Sequence, residues 1–96
     1  GPKTLELAGE IADGVIFLGG LFRDGVKYGL EHIDRGAQKA GRPRPHVSVF
    51  GYGEINDEDP AAALESARSI AAWFPQTAPV YCELAGLDPA IAAEVK

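Results

Sequence analysis

The sequence predicts an α/β fold in which two parallel strands are joined by a helix. A short run that is apolar throughout, Val15–Leu18, lies between an Asp-Gly and a Gly-Gly dipeptide and is typical of a buried strand. A long amphipathic segment follows it, and a partly alternating stretch, His46–Ile55, comes next. Because a helix that connects neighbouring strands of one sheet requires them to be parallel, these observations predict a β-α-β unit.

Composition and charge limit the possible functions. Of the 96 residues 46% are hydrophobic, which is typical of one small globular domain. The net charge of −5, with scattered cations, argues against a nucleic-acid partner, and no apolar run approaches the length of a membrane span. A single cysteine, Cys82, excludes an internal disulfide, and no signal peptide is recognisable. We therefore expect a cytoplasmic protein.

The first predicted helix covers residues 3–12 and precedes the first strand. Pro2 suits its first turn, since the missing N–H has no intrahelical partner there. Four residues share its apolar face: Leu7, Ala8, Ile11 and Ala12. The strand Val15–Leu18 is apolar at every position, so we expect burial on both faces and sheet neighbours beyond a single partner.

The second helix has the clearest pattern in the chain. Asp24 lies near its start, and Gly41 provides the expected left-handed stop after Lys39. Its apolar stripe consists of Val26, Leu30, Ile33 and Ala37. The second strand is predicted over His46–Ile55, with Gly51 leaving its backbone open to a neighbour or a ligand.

Three helices are predicted after the second strand. Asp59 caps the first of them, and we expect it to end at Phe74 because Pro75 follows. Its predicted buried face consists of Leu64, Ala67, Ile70, Ala71 and Phe74. A short helix is predicted from Pro79 to Ala85, and a last one from Pro89 into the end of the chain.

Two parallel strands do not make a stable sheet, so residues 1–96 are expected to be one segment of a larger α/β domain. The segment Gly1–Thr4 would be a strand-to-helix turn if a strand precedes it, and its amides would then suit an anion. The Gly51-Tyr52-Gly53 motif lacks the third glycine of the dinucleotide fingerprint, which favours a packing role.

No catalytic residue and no metal site are assigned from the residues. The two histidines, His32 and His46, are too far apart in sequence to indicate a shared metal. Cys82 has no basic neighbour and is expected to be a buried, inert thiol. The acidic run Asp57–Asp59 is most simply explained by the dipole at a helix start.

Residues 1–16, GPKTLELAGEIADGVI, resemble a segment of the luciferase-like monooxygenase superfamily. The similarity is greater to its deazaflavin-dependent branch, which includes the methylenetetrahydromethanopterin reductases. It continues through residues 28–41, 47–55, 57–60 and 79–96, so it covers almost the whole chain. The Ala-Gly-Glu-Ile-Ala-Asp-Gly block is its most specific part.

The resemblance implies a (β/α)₈ TIM barrel, of which this chain is the later part without the final strand and helix. In such proteins the coenzyme lies across the carboxyl ends of the strands. Gly1 and Pro2 would then meet the coenzyme's tail. Leu18 and Gly19 would end one barrel strand. Gly51 and Tyr52 would lie toward the end of the next strand, near the ring system, where a larger residue than glycine would clash.

The function implied by the resemblance is hydride transfer between the deazaflavin coenzyme F₄₂₀ and an organic small-molecule substrate. An FMN-dependent monooxygenase of the same superfamily is the alternative cofactor assignment, and a non-catalytic α/β accessory domain is the alternative of another class. We expect the catalytic residues outside this segment, which would be inactive alone, and a homo-oligomeric full-length protein, a dimer, without membrane or nucleic-acid partners.

Overall fold

A computed structural model describes residues 1–94 of the chain, which form two compact units, Gly1–Phe50 and a second that begins at Gly51. The first unit contains α1 (Pro2–Ile11), β1 (Gly14–Phe17), α2 (Arg23–Lys39) and β2 (His46–Val49). The second contains α3 (Pro60–Thr77), α4 (Pro79–Leu84) and α5 (Pro89–Glu94). This order of elements is the predicted one. The predicted extension of the last helix to the chain end falls on residues 95–96, outside the described residues.

The two strands form a parallel two-stranded sheet, which confirms the predicted β-α-β unit. Gly14 lies opposite His46, and Phe17 lies opposite Val49. Only one face of β1 is covered, because Phe17 is 5% exposed whereas its neighbour Ile16 is 81% exposed. In this chain helices cover only that side of the sheet, so burial of β1 on both faces stays a prediction for the larger domain.

The second strand is shorter than the predicted His46–Ile55. It ends at Val49, and the Phe50 N–H donates one further bond to the Phe17 carbonyl oxygen at 2.8 Å. Strand β1 ends at Phe17, so the residues after Phe50 have no part of β1 beside them to pair with. Gly51 and Tyr52, predicted toward the strand end, instead lie in an irregular, exposed segment that runs to the start of α3.

Helices α1 and α2 touch through glycines, which lets their backbones approach closely. A Cβ on Gly36 would overlap the Glu6 carbonyl oxygen. A Cβ on Gly9 would overlap the Ile33 carbonyl oxygen and lie 2.9 Å from the Ala37 nitrogen. Ile33 and Ala37 of the apolar stripe predicted for the second helix are buried beside this contact, whereas Val26 and Leu30 of the same stripe are only half-buried.

Charged groups support the same helix pair. Arg42 donates from Nη1 to the Glu10 carbonyl oxygen at 2.9 Å and from Nη2 to the Ala12 carbonyl oxygen at 2.8 Å. The Glu10 carbonyl lies in the last turn of α1 and the Ala12 carbonyl directly follows that helix, where no intrahelical donor reaches them, so the guanidinium caps the helix. Arg44 forms a two-pronged ion pair with Asp34, with both N–O distances at 2.6 Å.

The second unit begins with a cap that the sequence predicts. The Asp59 carboxylate accepts from the Ala62 N–H at 3.3 Å. The predicted stop at Phe74 was wrong, because α3 continues through Pro75 to Thr77. A proline in the last turn removes only one helical bond, and Thr77 Oγ1 bonds the Trp73 carbonyl oxygen at 3.1 Å.

The predicted buried face of α3 is not buried in this chain. None of its residues is fully buried, and Leu64 is 75% exposed. The two helices that follow are only six residues each, so they cover little of a helix of 18 residues. Cys82 in α4 is buried, as predicted.

Replacing Gly36 by alanine tests the glycine contact. We expect Gly36→Ala to lower the free energy of unfolding by about 2–3 kcal/mol, because overlap with the Glu6 backbone outweighs a gain of about 1 kcal/mol in helix propensity. Chemical denaturation measures the effect. Gly53→Ala is the matched control, since a Cβ at that position has no neighbour within 4 Å. Equal stability of the two variants would contradict the close approach.

The Asp34–Arg44 pair gives a prediction about pH. Hydrogen bonds from Arg44 are the main cause that lowers the pKa of Asp34, against a smaller opposing effect of burial. A lowered folded-state pKa stabilises the fold above the unfolded pKa of about 3.9, and the contribution is lost as pH falls through the folded value. We expect Arg44→Gln to raise the pKa of Asp34 toward its ordinary value in an NMR titration of the carboxyl carbons. Lys39→Gln, whose lysine pairs with Glu10 instead, should leave it unchanged.

Candidate functional site

The first unit brings two helix starts and two strand ends together. Helices α1 and α2 run in the same direction, because Glu6 pairs with Arg35 and Glu10 pairs with Lys39 four residues further along each helix. Strand β1 runs opposite to α2, because Phe17 lies against Gly29 whereas Gly19, two residues later, lies against Gly25, one turn earlier in the helix. The amino ends of α1 and α2 and the carboxyl ends of β1 and β2 therefore share one end of the unit, called here the carboxyl end of the sheet.

The turn after β1 lies at this end and is tightly held. Leu18 and Gly19 follow the strand directly, and Gly19 is buried. Gly20 has a φ of 86°, a left-handed conformation that favours glycine. A Cβ on Gly25 would lie 2.7 Å from the Gly19 carbonyl oxygen and 2.6 Å from the Phe22 ring, so a glycine in α2 fixes the path of this turn.

The amino end of α1 presents unused backbone donors. The Leu5 N–H donates to the Gly1 carbonyl oxygen at 3.2 Å, which leaves the amides of Lys3 and Thr4 without an intrahelical acceptor. Pro2, at the first helical position, carries no N–H. This arrangement suits an anionic group.

Four of the six predicted site residues thus lie at one end of the first unit: Gly1, Pro2, Leu18 and Gly19. The other two, Gly51 and Tyr52, belong to the second unit and lie in its exposed irregular segment. The prediction that they lie toward the end of a strand was wrong, because the strand pairing stops before them. Gly51 is nevertheless the residue that directly follows Phe50, whose N–H makes the last bond to β1.

Phe50 is a residue that the sequence did not single out. The pattern placed it in the middle of a long strand, whereas the structure places it directly after β2, at the carboxyl end of the sheet. It is 45% exposed. If the strand had been predicted to end before Gly51, Phe50 would have been placed at the strand end and so at the carboxyl end of the sheet.

The two histidines occupy different parts of the first unit. His32 Nδ1 lies 3.6 Å from Glu6 Oε1, between α1 and α2, and its ring meets Tyr28 edge-on. His46 lies at the amino end of β2, opposite the carboxyl end. Within residues 1–94 no three His, Cys, Asp or Glu side chains are grouped as metal ligands, and no helix is long and apolar enough to cross a membrane.

Comparison with known proteins gives a consistent family match. Residues 1–94 match the family described as luciferase-like monooxygenase. A 5,10-methylenetetrahydromethanopterin reductase of Methanolobus tindarius is 37% identical over 99% of this chain and 29% of its own length. The enzyme of that name from Methanopyrus kandleri is 32% identical over 99% of the chain and 28% of its length.

A third relative of the same name, from Archaeoglobus fulgidus, is 35% identical over 77% of the chain and 22% of its own length. The chain therefore spans less than a third of the length of the curated relatives it matches.

Gly25→Ala tests how the turn after β1 is held. We expect its Cβ to displace the Gly19 carbonyl and the Phe22 ring, and so to shift the backbone amide resonances of Gly19 and Gly20. Gly53→Ala again provides the control, with changes confined to its own neighbours. Unchanged amide resonances at Gly19 in Gly25→Ala would show that α2 does not set the path of the turn.

Proposed function

The chain belongs to the luciferase-like monooxygenase family, and on that premise we propose that it is part of an oxidoreductase that uses coenzyme F₄₂₀. The proposed reaction transfers hydride between the deazaflavin and an organic small molecule, as in the methylenetetrahydromethanopterin reductases. The similarity to three reductases of that name supports this proposal. It concerns the full-length protein, since the chain spans less than a third of those relatives.

The proposed fold is a (β/α)₈ barrel in which β1 and β2 are neighbouring strands and α1 and α2 lie outside them. Two features support it. The strands are parallel, and the helices cover one face of the sheet only. The other face carries Ile16, an apolar side chain that is 81% exposed in this chain and would lie inside the closed barrel.

The residues at the carboxyl end fit a coenzyme of this kind, and barrel enzymes have their sites at this end of the strands. The unused amides of Lys3 and Thr4, beside Gly1 and Pro2, would hold an anionic tail. Leu18 and Gly19 would contact the ring system, and Gly51 and Tyr52 are proposed as coenzyme-binding residues from the family resemblance alone. When bound, the deazaflavin supplies hydride transfer, while the residues of this chain bind and orient it.

FMN is the alternative cofactor, because the family is described as luciferase-like monooxygenase. A reduced flavin activates oxygen, whereas a deazaflavin does not do so productively. A non-catalytic accessory domain is the alternative outside the enzymes. We also propose a cytoplasmic homo-oligomer, a dimer, as the form of the full-length protein.

Binding titrations of the full-length protein with F₄₂₀ and with FMN test this proposal. We expect saturable quenching of F₄₂₀ fluorescence at a stoichiometry of about one per chain, and no saturable binding of FMN. Reduction of the bound deazaflavin by a reduced organic substrate, followed by its absorbance, would then establish the reaction class. Binding of FMN alone would support the monooxygenase, and binding of neither would leave the accessory domain.

A further inference from the structure

We infer that Phe50 contacts the ring of the bound coenzyme and, together with Leu18, forms an apolar platform on which one face of that ring lies. The inference rests on the proposed function and extends it to a residue that neither the sequence pattern nor the family match assigns. It follows from the register of the sheet, from the exposure of its two faces and from where the pairing stops.

The register decides which face of the sheet each side chain occupies. Side chains alternate along a strand, and paired residues of parallel strands share a face. Phe17 is buried against Gly29 of α2, so its partner Val49 lies on the helix-covered face as well. Ile16 and its partner Ser48 lie on the opposite face, where both are exposed. We call this second face the open face.

The alternation continues to the end of the pairing. Leu18 follows Phe17, and Phe50 follows Val49, so both fall on the open face. The Phe50 N–H still bonds the Phe17 carbonyl oxygen at 2.8 Å, which shows that the backbone is in register with β1 at this point. Leu18 and Phe50 are therefore the last open-face residues before the chain leaves the sheet.

This level corresponds to the mouth of a closed barrel. In such a barrel the lower open-face positions, among them Ile16 and Ser48, are filled by layers of side chains from the other strands. The uppermost pair instead faces the ligand site above the strand ends. Phe50 is 45% exposed and Val49 on the other face is 40% exposed, so the register of the two strands, and not exposure, distinguishes Phe50 from its neighbour.

The chemistry of the pair fits a planar heterocycle. Neither side chain carries a charge or a hydrogen-bonding group, so the platform suits the flat face of a ring rather than its polar edge or its anionic tail. An aromatic ring adds offset stacking to the simple burial of apolar area. The donors for the tail lie elsewhere at the same end, at the start of α1. The first unit thus provides one place for the apolar ring of the coenzyme and another for its anionic tail.

Substitution of Phe50 in the full-length protein tests the platform. We expect Phe50→Ala to weaken F₄₂₀ binding about tenfold, since the variant loses stacking and apolar contact worth roughly one decade of affinity. Phe50→Leu, which keeps apolar volume, should lose less. Val49→Ala is the matched control on the helix-covered face of the same strand and should bind within about twofold of the native protein. Fluorescence quenching gives each Kd, and thermal unfolding reports whether each variant is folded.

The Leu18 methyl resonances provide a second measurement that needs no variant. A ring lying on the platform shifts them through its ring current when F₄₂₀ is added, whereas the methyls of Val15 on the covered face stay in place. Unchanged Leu18 resonances at saturation would overturn the platform even if Phe50→Ala fails to fold.

The outcomes separate the inference from the proposed function. Native protein that binds F₄₂₀, with a folded Phe50→Ala of equal affinity, overturns the platform and leaves the function standing. Equal losses in Val49→Ala and Phe50→Ala also overturn it, since they indicate a general weakening of the strand. Native protein that binds only FMN contradicts the proposed cofactor, and the same variants then decide the platform with FMN. Binding of neither coenzyme overturns both.

Discussion

The backbone contact between α1 and α2 is the constraint on which the rest of the first unit depends. Gly9 and Gly36 leave no Cβ between the helices, so each peptide backbone lies directly against the other. This close approach fixes the two helices side by side, and Arg42 then caps the end of α1 from the connector that leads into β2. Because α2 also packs against Phe17, the position of the sheet follows from the same contact.

The direction of these elements explains why functional groups collect at one end. With α1 and α2 running in the same direction and both strands running opposite to them, the unused amides of α1, the turn after β1 and the end of β2 face the same side. Nothing in this arrangement requires a charged side chain at the site. At the proposed site, binding would come from backbone donors and apolar surface, which is how an acidic chain could hold an anionic coenzyme.

Local signals were enough to predict the order of elements. The Asp59 cap, the stop after Lys39 and the apolar strand from Val15 each depend on a few neighbouring residues, and the parallel pairing follows from the helix between the strands. The errors concern properties that depend on distant partners. The end of β2 is set by where β1 stops, and the burial of α3 is set by what packs against it. Helix α3 continues past Pro75 because a proline this close to the helix end removes only one helical hydrogen bond.

In the candidate site, too, features set by neighbouring residues were predicted and features set by distant contacts were not. The positions of Gly1, Pro2, Leu18 and Gly19 relative to helix starts and strand ends were predictable, whereas the role of Gly25 in holding the turn was not, because it depends on the approach of the Gly19 carbonyl. Phe50 was missed because the strand was predicted too long.

The most direct test of the account is a crystal structure of the full-length protein with F₄₂₀ bound. We expect the coenzyme ring within about 4 Å of the Leu18 and Phe50 side chains, and the anionic tail beside the amides of Lys3 and Thr4. A ring bound at the amino end of the strands, near Gly14 and His46, or a tail directed away from α1, would contradict it.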